Sequence, residues 1–505
     1  MATFAAIDIG ANSVRLKIAR LSKSRLQVVH EDREVTRLGE SVFRSGLLAP
    51  EAMAQTVKVL RRFHRAAQHF GADAVRVLAT SALRDARNSS ALVEWVRSTT
   101  GWKIEVISGL EEGRLIHLGV TSGMKRLPAR MLLVDLGGGS CELTISVDGH
   151  IKDMVSLPIG AVRLTQEFLR HDPPKGKEVD RLRSYIAEEL RRVERRILSA
   201  KIDLVIATSG TPAALAEASG KASKYGTSMV PRGSVEGLAL KLKEMNIEER
   251  RRIKGIGPRR AEIIVAGAFV FAELMHSCSL RQFRYSPLGL RDGLLTQMQA
   301  DYGGSRQVKE QIQSERENAL IAVGKHYGVS AQNAQRARTL ALALFDGLKK
   351  VHALPDEYRE LLGAAAMLHE VGAYINRAGR HRHTYYVVAN SEILGYSNEE
   401  RKIIAAMARY IGKSLPSTND RIVKAAPVEN HERIPRAVAL LRLALALDQG
   451  RKGAVAKVDA RVEAARVLLR VHPKSGSADL ELWALDKQRS YFRAVFGREL
   501  VSALA

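Results

Sequence analysis

Cysteine is nearly absent from this chain of 505 residues: Cys141 and Cys278 are the only two, and neither lies in a CxxC pair. The sequence therefore carries neither a disulfide framework nor a paired zinc-ligand signal, and a reducing compartment fits. Aromatic residues are scarce, at 5%. No helix-turn-helix, zinc-finger or RNP pattern appears, so a specific nucleic-acid partner is not expected. No apolar run reaches the roughly 18 to 20 residues of a membrane-spanning helix. The opening MATFAAIDIGANSV lacks a basic stretch ahead of a long apolar one, so no membrane partner and a cytoplasmic location are expected.

What is plentiful is positive charge: Lys and Arg number 79 against 54 Asp and Glu, a formal net charge of +25. Residues 301–505 hold 32 basic and 22 acidic side chains, leaving 47 and 32 for residues 1–300. The excess is thus spread through folded sequence, which favours an anionic partner. In RLRSYIAEELRRVERRIL (181–198) the basic residues interleave with helical apolar positions and read as a solvated face. The length exceeds what one core organises and implies three or four domains.

Residues 1–125 alternate strand and helix signals. FAAIDIG, VRLKIARL, RLQVVHEDREVTRL, AVRVLAT and WKIEVIS read as strands; EAMAQTVKVLRRFHRAAQHFG and NSSALVEWVRSTTG read as helices. A second unit repeats the opening with MLLVDLGGGSCELTISVDGHI, then DLVIATSGT, the helix RRAEIIVAGAFVFAELMH and the segment SPLGLRDGLL. Beyond about residue 305 helix follows helix. The tail reads as alternating segments, RVLLRV and DLELWAL, and then a helix, with GGSRQ (303–307) as the linker.

The strongest internal signal is an echo. IDIGANS (7–13) and VDLGGGS (134–140) each put an Asp at the end of an apolar strand, a Gly two residues later and a Ser five residues after the Asp. One such turn is how many strands end. Two of them in like-built halves can face each other across a cleft, where glycine lets phosphate oxygens approach backbone N–H groups.

The segments AIDIGANSVRLKIARL, VRVLATSALRDARN, VISGLEEGRLIHLGV, LVDLGGGSCELTI, ATSGTPAAL and LGLRDGLL, in this order, resemble the exopolyphosphatase and guanosine pentaphosphate phosphohydrolase family. The likeness covers residues 1–300. It extends more loosely to AAAMLHEVGAYINRAGRHRHTYYVVANSEILGYSNEER, which resembles the HD-like third domain of longer members. The resemblance implies an α/β N-terminal half of two ribonuclease-H-like domains (1–125 and 126–304) of the actin, Hsp70 and sugar kinase superfamily. An all-α HD-like domain (305–450) and a small α+β domain (451–505) follow.

Carried over residue by residue, the resemblance makes Glu112 the general base and Asp135 and Glu142 the ligands of a divalent cation. That cation is Mg²⁺, with Mn²⁺ able to substitute and K⁺ a candidate monovalent ion. Gly137, Gly138 and Gly139, with Asn12 and Ser13 opposite, become phosphate-cradling turns; Arg84 becomes a phosphate contact; Ser209, Gly210 and Thr211 complete the cleft. Read without the resemblance, the segment EEGR (111–114) starts a solvated helix and Arg84 pairs with Asp85. Cys141 stands where Thr is common, and Asp292 where Glu is common.

The third domain departs further. His369-Glu370 replaces a His-Asp pair, the segment NAQRARTL (333–340) offers no upstream His, and Asp448 stands at the late position, so a non-catalytic domain is expected. Its loop RAGRHRH (377–383) gathers Arg377, Arg380 and Arg382 with His381 and His383. That group suits a polyanion anchor as well as it suits ordinary solvated surface.

The implied function is exopolyphosphatase, with inorganic polyphosphate as partner substrate. Hydrolysis of pppGpp to ppGpp is the alternative, and a non-catalytic alarmone or polyphosphate sensor is the second. A kinase or chaperone-type ATPase would share the fold but lack the EEGR and LRDG segments. A homodimer is the family expectation.

Overall fold

The computed structural model describes residues 2–22, 25–124, 126–220, 229–302, 306–474 and 476–505. Of the expected linker at 303–307, residues 303–305 lie outside the described residues. The chain forms two compact units, Met1–Ile312 and Gln313–Ala505.

The first unit contains two mixed sheets built to one plan. In the first, β1 (Thr3–Ile9), β2 (Ser13–Ser22) and β3 (Arg25–Val35) form an antiparallel meander, and β4 (Ala74–Ala79) and β5 (Ile104–Val106) add in parallel beyond β1. In the second, β6 (Arg130–Leu136), β7 (Cys141–Val147) and β8 (His150–Leu157) repeat the meander. There β9 (Leu204–Thr208) adds in parallel beyond β6, and β10 (Met229–Pro231) and β11 (Gln282–Tyr285) complete the order β10-β11-β9-β6-β7-β8. The echo in the sequence is therefore a repeat of topology.

Period-two alternation fixes which way the strand ends point. On β1, Ala5, Ile7 and Ile9 enter one core while Phe4 and Ala6 enter another, and Asp8 shares the face of the latter. On β6, Leu132, Val134 and Leu136 enter a third core while Met131 and Leu133 enter a fourth, and Asp135 shares that face. The helices Gly109–Ser122 and Leu290–Asp301 lie between those two inner faces: Leu115, Leu294, Leu295 and Met298 pack on the first sheet, and Ile116 and Val120 on the second. A helix enclosed on both sides has little solvated surface. Gly109–Ser122 buries even Arg114 and His117. Arg114 donates to Glu111 at 2.7 and 2.9 Å and to Gln297 at 2.5 Å.

The two central helices cross through glycine. A Cβ on Gly293 would overlap the Leu115 carbonyl, and one on Gly119 would overlap the Gly289 carbonyl. Gly293→Ala is expected to lower unfolding free energy by about 1–3 kcal/mol, because backbone cannot yield as a side chain can. Equilibrium denaturation of wild type and variant checks this, and an unchanged midpoint contradicts it.

In the second unit the helices Ala331–Gly347, Glu357–Leu368, Asn398–Arg409 and Arg433–Ala446 surround one core containing Leu344, Tyr358, Leu362, Ile404 and Leu440. A three-stranded sheet, β12 (Val455–Val462), β13 (Arg466–Pro473) and β14 (Glu499–Leu504), contributes Val467, Leu469 and Leu500 to that same core.

Three sequence expectations need correction. DLELWAL is part of the helix Asp479–Asp486: its buried residues are Glu481, Ala484 and Leu485, at helical spacing, while Leu480 and Trp483 are exposed. The chain ends in β14, not in a helix; the final helix, Arg489–Phe496, stops at Gly497 with φ 65°, and β14 then pairs in parallel with β13. The segment 377–383 is only partly a loop, since Gly379 with φ 72° turns the chain into the helix Arg380–Asn390.

Candidate functional site

The turns that follow β1 and β6 are closed identically. Gly10 N–H donates to the Ser13 carbonyl at 3.1 Å, and Gly137 N–H to the Ser140 carbonyl at 3.0 Å. In each, the next carbonyls are taken by the segment leading into a helix: Gly39 N–H donates to Ala11 at 2.8 Å, and Val162 N–H to Gly138 at 2.7 Å. The turns also touch. A Cβ on Gly138 would stand 3.0 Å from the Ala11 Cβ and 3.3 Å from the Asn12 nitrogen, so glycine is what lets the two hairpins close on one cleft.

That cleft is a cavity of about 240 Å³, lined by Asp8, Asn12, Ser13, Glu112, Asp135, Gly137, Gly138, Ser209, Gly210 and Thr211 among others. Most residues expected in the site are therefore brought together. Three lie elsewhere. Gly139 packs against Phe43 and Ser81, Glu142 lies beneath Asp135 with 1% exposure, and Arg84 sits behind Glu112. Arg84 donates to the Ile107 carbonyl at 2.8 Å and lies 3.6 Å from Glu112 Oε2. Asp85 pairs with Arg163.

Glu112, Asp135 and Glu142 each offer an oxygen within 4.8 Å of the others, and all three are buried. The cause is local. Asp135 and Glu142 are directly opposed on β6 and β7, and Glu112 enters from the first turn of the helix Gly109–Ser122, which is capped by the Ser108 hydroxyl accepting from Glu111 N–H at 3.2 Å. Ser156 donates to Glu142 Oε1 at 2.7 Å. Glu112 Oε2 and Glu142 Oε2 are buried without a hydrogen-bond partner among the described residues. Burial, reinforced by the neighbouring Glu142, pushes Glu112 well above the usual carboxylate range and Asp135 up to about 8. Burial also raises Glu142 and Asp8.

The first half answers these acids with bases. Arg15 opposes Asp8 as Glu142 opposes Asp135, seven residues on in both hairpins. Arg15 also opposes Arg33 on β3, and Arg260 and Arg291 line the same cleft. Burial and this crowding lower Arg33 to about 9 and Arg260 to about 10. Like charges directly opposite cost about 0.2–1 kcal/mol in a sheet, so an anion is the ligand that relieves them. These four arginines were not legible as a group in the sequence, and Arg15 lies just beyond the echoed stretch. Asp292, by contrast, accepts from Gly289 N–H at 3.0 Å and from Lys17 at 2.8 Å, and Cys141 is a core residue.

Ser209 lines the cleft with φ 82° and ψ −172°, a region that favours glycine. Such strain costs on the order of 1–3 kcal/mol and is held by its surroundings. Ser209→Gly is expected to stabilise the protein by about 1 kcal/mol in denaturant unfolding without a change in m-value; a loss of stability contradicts the strain.

The model of the Ppx/GppA phosphatase family matches residues 17–301, and that of Ppx/GppA phosphatase domain III matches residues 316–487. Exopolyphosphatase 1 of Mycobacterium leprae (strain TN) is 32% identical over 317 residues, covering 61% of this chain and 94% of that protein. The same-named protein of Mycobacterium bovis is 32% identical over 295 residues, or 57% and 86%. Among solved structures, the Aquifex aeolicus member of the Ppx/GppA family is 30% identical with a TM-score of 0.52 and covers 60% of this chain and 99% of that one. An exopolyphosphatase from Cytophaga hutchinsonii is 26% identical with a TM-score of 0.56, over 59% and 97%. The mixed-sheet α/β arrangement of the first unit is the actin-like one of these relatives.

Proposed function

The chain belongs to the Ppx/GppA phosphatase family, and on that premise we propose that it is an exopolyphosphatase, releasing terminal phosphate from inorganic polyphosphate by attack of water. The observation that carries the reading is the convergence of Glu112, Asp135 and Glu142, the first two of which line a cleft that Arg15, Arg33, Arg260 and Arg291 also line. The bond broken joins the terminal phosphorus to the bridging oxygen, which leaves on the shortened chain. The bond formed joins that phosphorus to the water oxygen, whose proton goes to Glu112. Burial raises the affinity of Glu112 for a proton, which strengthens it as an acceptor once it is ionised.

Asp135 and Glu142 would hold a divalent cation. Two buried carboxylates, one with an unpartnered oxygen, form a hard-oxygen donor set that fits Mg²⁺ or Mn²⁺. The ion, when bound, neutralises charge on phosphate oxygens; K⁺ is a further candidate. The turns at 10–13, 137–140 and 209–211 hold the terminal phosphate, and Arg15, Arg33, Arg260 and Arg291 hold the phosphates behind it through forked donors. Arg84 acts as a positioning residue for Glu112. The reading extends to two ribonuclease-H-like halves meeting near residue 125, an HD-like helical domain, a small terminal domain after about residue 450, and a cytoplasmic homodimer.

Phosphate release measured side by side on long polyphosphate, tripolyphosphate and pppGpp tests the proposal; turnover confined to pppGpp would move the assignment to the guanosine pentaphosphate reaction. A polyanion anchor at Arg377, Arg380 and Arg382 belongs to the same proposal: Arg377 and Arg382 are exposed, and Arg380 is half-buried. Each phosphate neutralised adds a salt-dependent increment to affinity, and a long chain offers more phosphates for such contacts than a short one. Replacing all three by Ala is expected to raise KM for long polyphosphate and flatten its salt dependence, with tripolyphosphate hydrolysis unchanged. Equal losses on both substrates would rule the anchor out.

A further inference from the structure

The second unit has its own cavity of about 140 Å³, an order of magnitude more than one water requires. His369 and Glu370 line it from the end of the helix Glu357–Leu368, Asp448 and Arg451 from the end of the helix Arg433–Ala446, and Arg380 from the start of the helix Arg380–Asn390. These come from segments distant in sequence, and the polar groups meet inside the cavity.

The acids in this cavity are already matched by cations of the protein. Arg451 pairs with Glu370, and Arg336 lies 3.4 Å from Asp448 while donating to the Asn333 side chain at 2.7 Å and to the Arg451 carbonyl at 2.8 Å. His369, Glu370 and Asp448 do not converge as a three-ligand group among the described residues. A metal ion would have to displace a guanidinium to reach Glu370. Guanidinium has thus taken the place in which a cation would sit.

Further positive charge remains. Arg442 lines the cavity and is held by the Tyr410 and Gly412 carbonyls at 2.9 and 2.6 Å and by Gln488 at 2.8 Å. Arg380 lines it half-buried, and its guanidinium has no hydrogen bond or ion pair among the described residues. Three guanidiniums, those of Arg380, Arg442 and Arg451, therefore line the cavity with two carboxylates, and that of Arg380 is unused. His369 adds an acceptor: its Nδ1–H donates to the Ala366 carbonyl at 2.7 Å, so Nε2 carries the lone pair, 4.0 Å from Glu370.

We infer that this cavity is a second, non-hydrolytic binding site for a phosphoryl group, gripped by Arg380, with His369 Nε2 accepting from a P–OH of that group. A planar fork without a partner is matched by a phosphate's oxygens, and the already paired acids leave the anion a net positive surrounding. The group can come from free orthophosphate, from a nucleoside diphosphate or from a polyphosphate chain, and all three present the same oxygens. The inference concerns the second unit alone and stands or falls independently of the hydrolytic site.

Hydrogen exchange of the full chain, read in peptides covering 366–374 and 380–390, tests it with orthophosphate, ADP and long polyphosphate as separate probes. At a probe concentration about twice its Kd, exchange in these peptides is expected to slow about threefold. The protection should vanish in Arg380→Ala and return in part in Arg380→Lys, and the probe that protects at the lowest concentration identifies the source. No protection by any of the three, or protection that persists in Arg380→Ala, overturns the inference. So does protection by Mn²⁺ alone that is lost in His369→Ala, since that would make the cavity a metal site.

Discussion

Glu112→Gln is expected to lower kcat on polyphosphate by about 10²–10⁴-fold, the range associated with loss of a positioned proton acceptor, with KM and the Mg²⁺ half-saturation close to wild type. The amide keeps the shape of the side chain, its place in the first turn of Gly109–Ser122 and its approach to Arg84. What it loses is the carboxylate charge, and with it the capacity to take a proton from water. Because Glu112 lies within ligand reach of Asp135 and Glu142, the Mg²⁺ titration separates two roles. A base gives a loss that saturating metal does not restore; a ligand gives a loss that more metal restores. Turnover within about threefold of wild type would remove Glu112 from the mechanism.

Much of the first unit was legible because its signals are local. Asp8 and Asp135 end apolar strands whose alternation dictates the face they occupy, and the glycines after them announce turns. The EEGR segment at 111–114 illustrates the limit. As a sequence it reads as a solvated helix start, yet Glu111 pairs with a buried Arg114 and Glu112 opens onto the cleft, because the helix is enclosed between two sheets. No local pattern carries that enclosure; it comes from glycine contacts between residues 115–119 and 289–293. The arginine wall was hidden for a similar reason. Arg15, Arg33, Arg260 and Arg291 come from four separate segments, and an arginine on a strand reads as an edge residue until register sets it opposite another. In the tail, DLELWAL alternates over too few residues to separate two periods, and packing chose the helical one.

Asp135→Asn, and separately Glu142→Gln, are expected to raise the Mg²⁺ requirement for turnover by tenfold or more, about 1.4 kcal/mol of lost ion binding, while making the metal-free protein more stable. The second half follows from crowding. Asp135 is pushed up to about 8 by burial and by Glu142, from an ordinary value of 3.8. A carboxyl whose folded pKa lies above its unfolded one resists ionisation in the fold, so it costs nothing at low pH, begins to destabilise as pH rises past 3.8, and does so fully above about 8. Removing the charge removes that penalty. In EDTA the stability gain of Asp135→Asn should therefore be absent near pH 4 and grow towards pH 8, where relief of a buried, uncompensated charge is worth about 1–4 kcal/mol. Saturating Mg²⁺ should reverse the order, since an ion that binds only the folded wild type stabilises it in proportion to its occupancy. Thermal unfolding of both proteins across pH, with EDTA and with Mg²⁺, reads all of these together. If Asp135 serves only to end a strand, its amide will be neutral or destabilising at every pH and indifferent to the metal, and the acidic cluster will have no part in holding an ion.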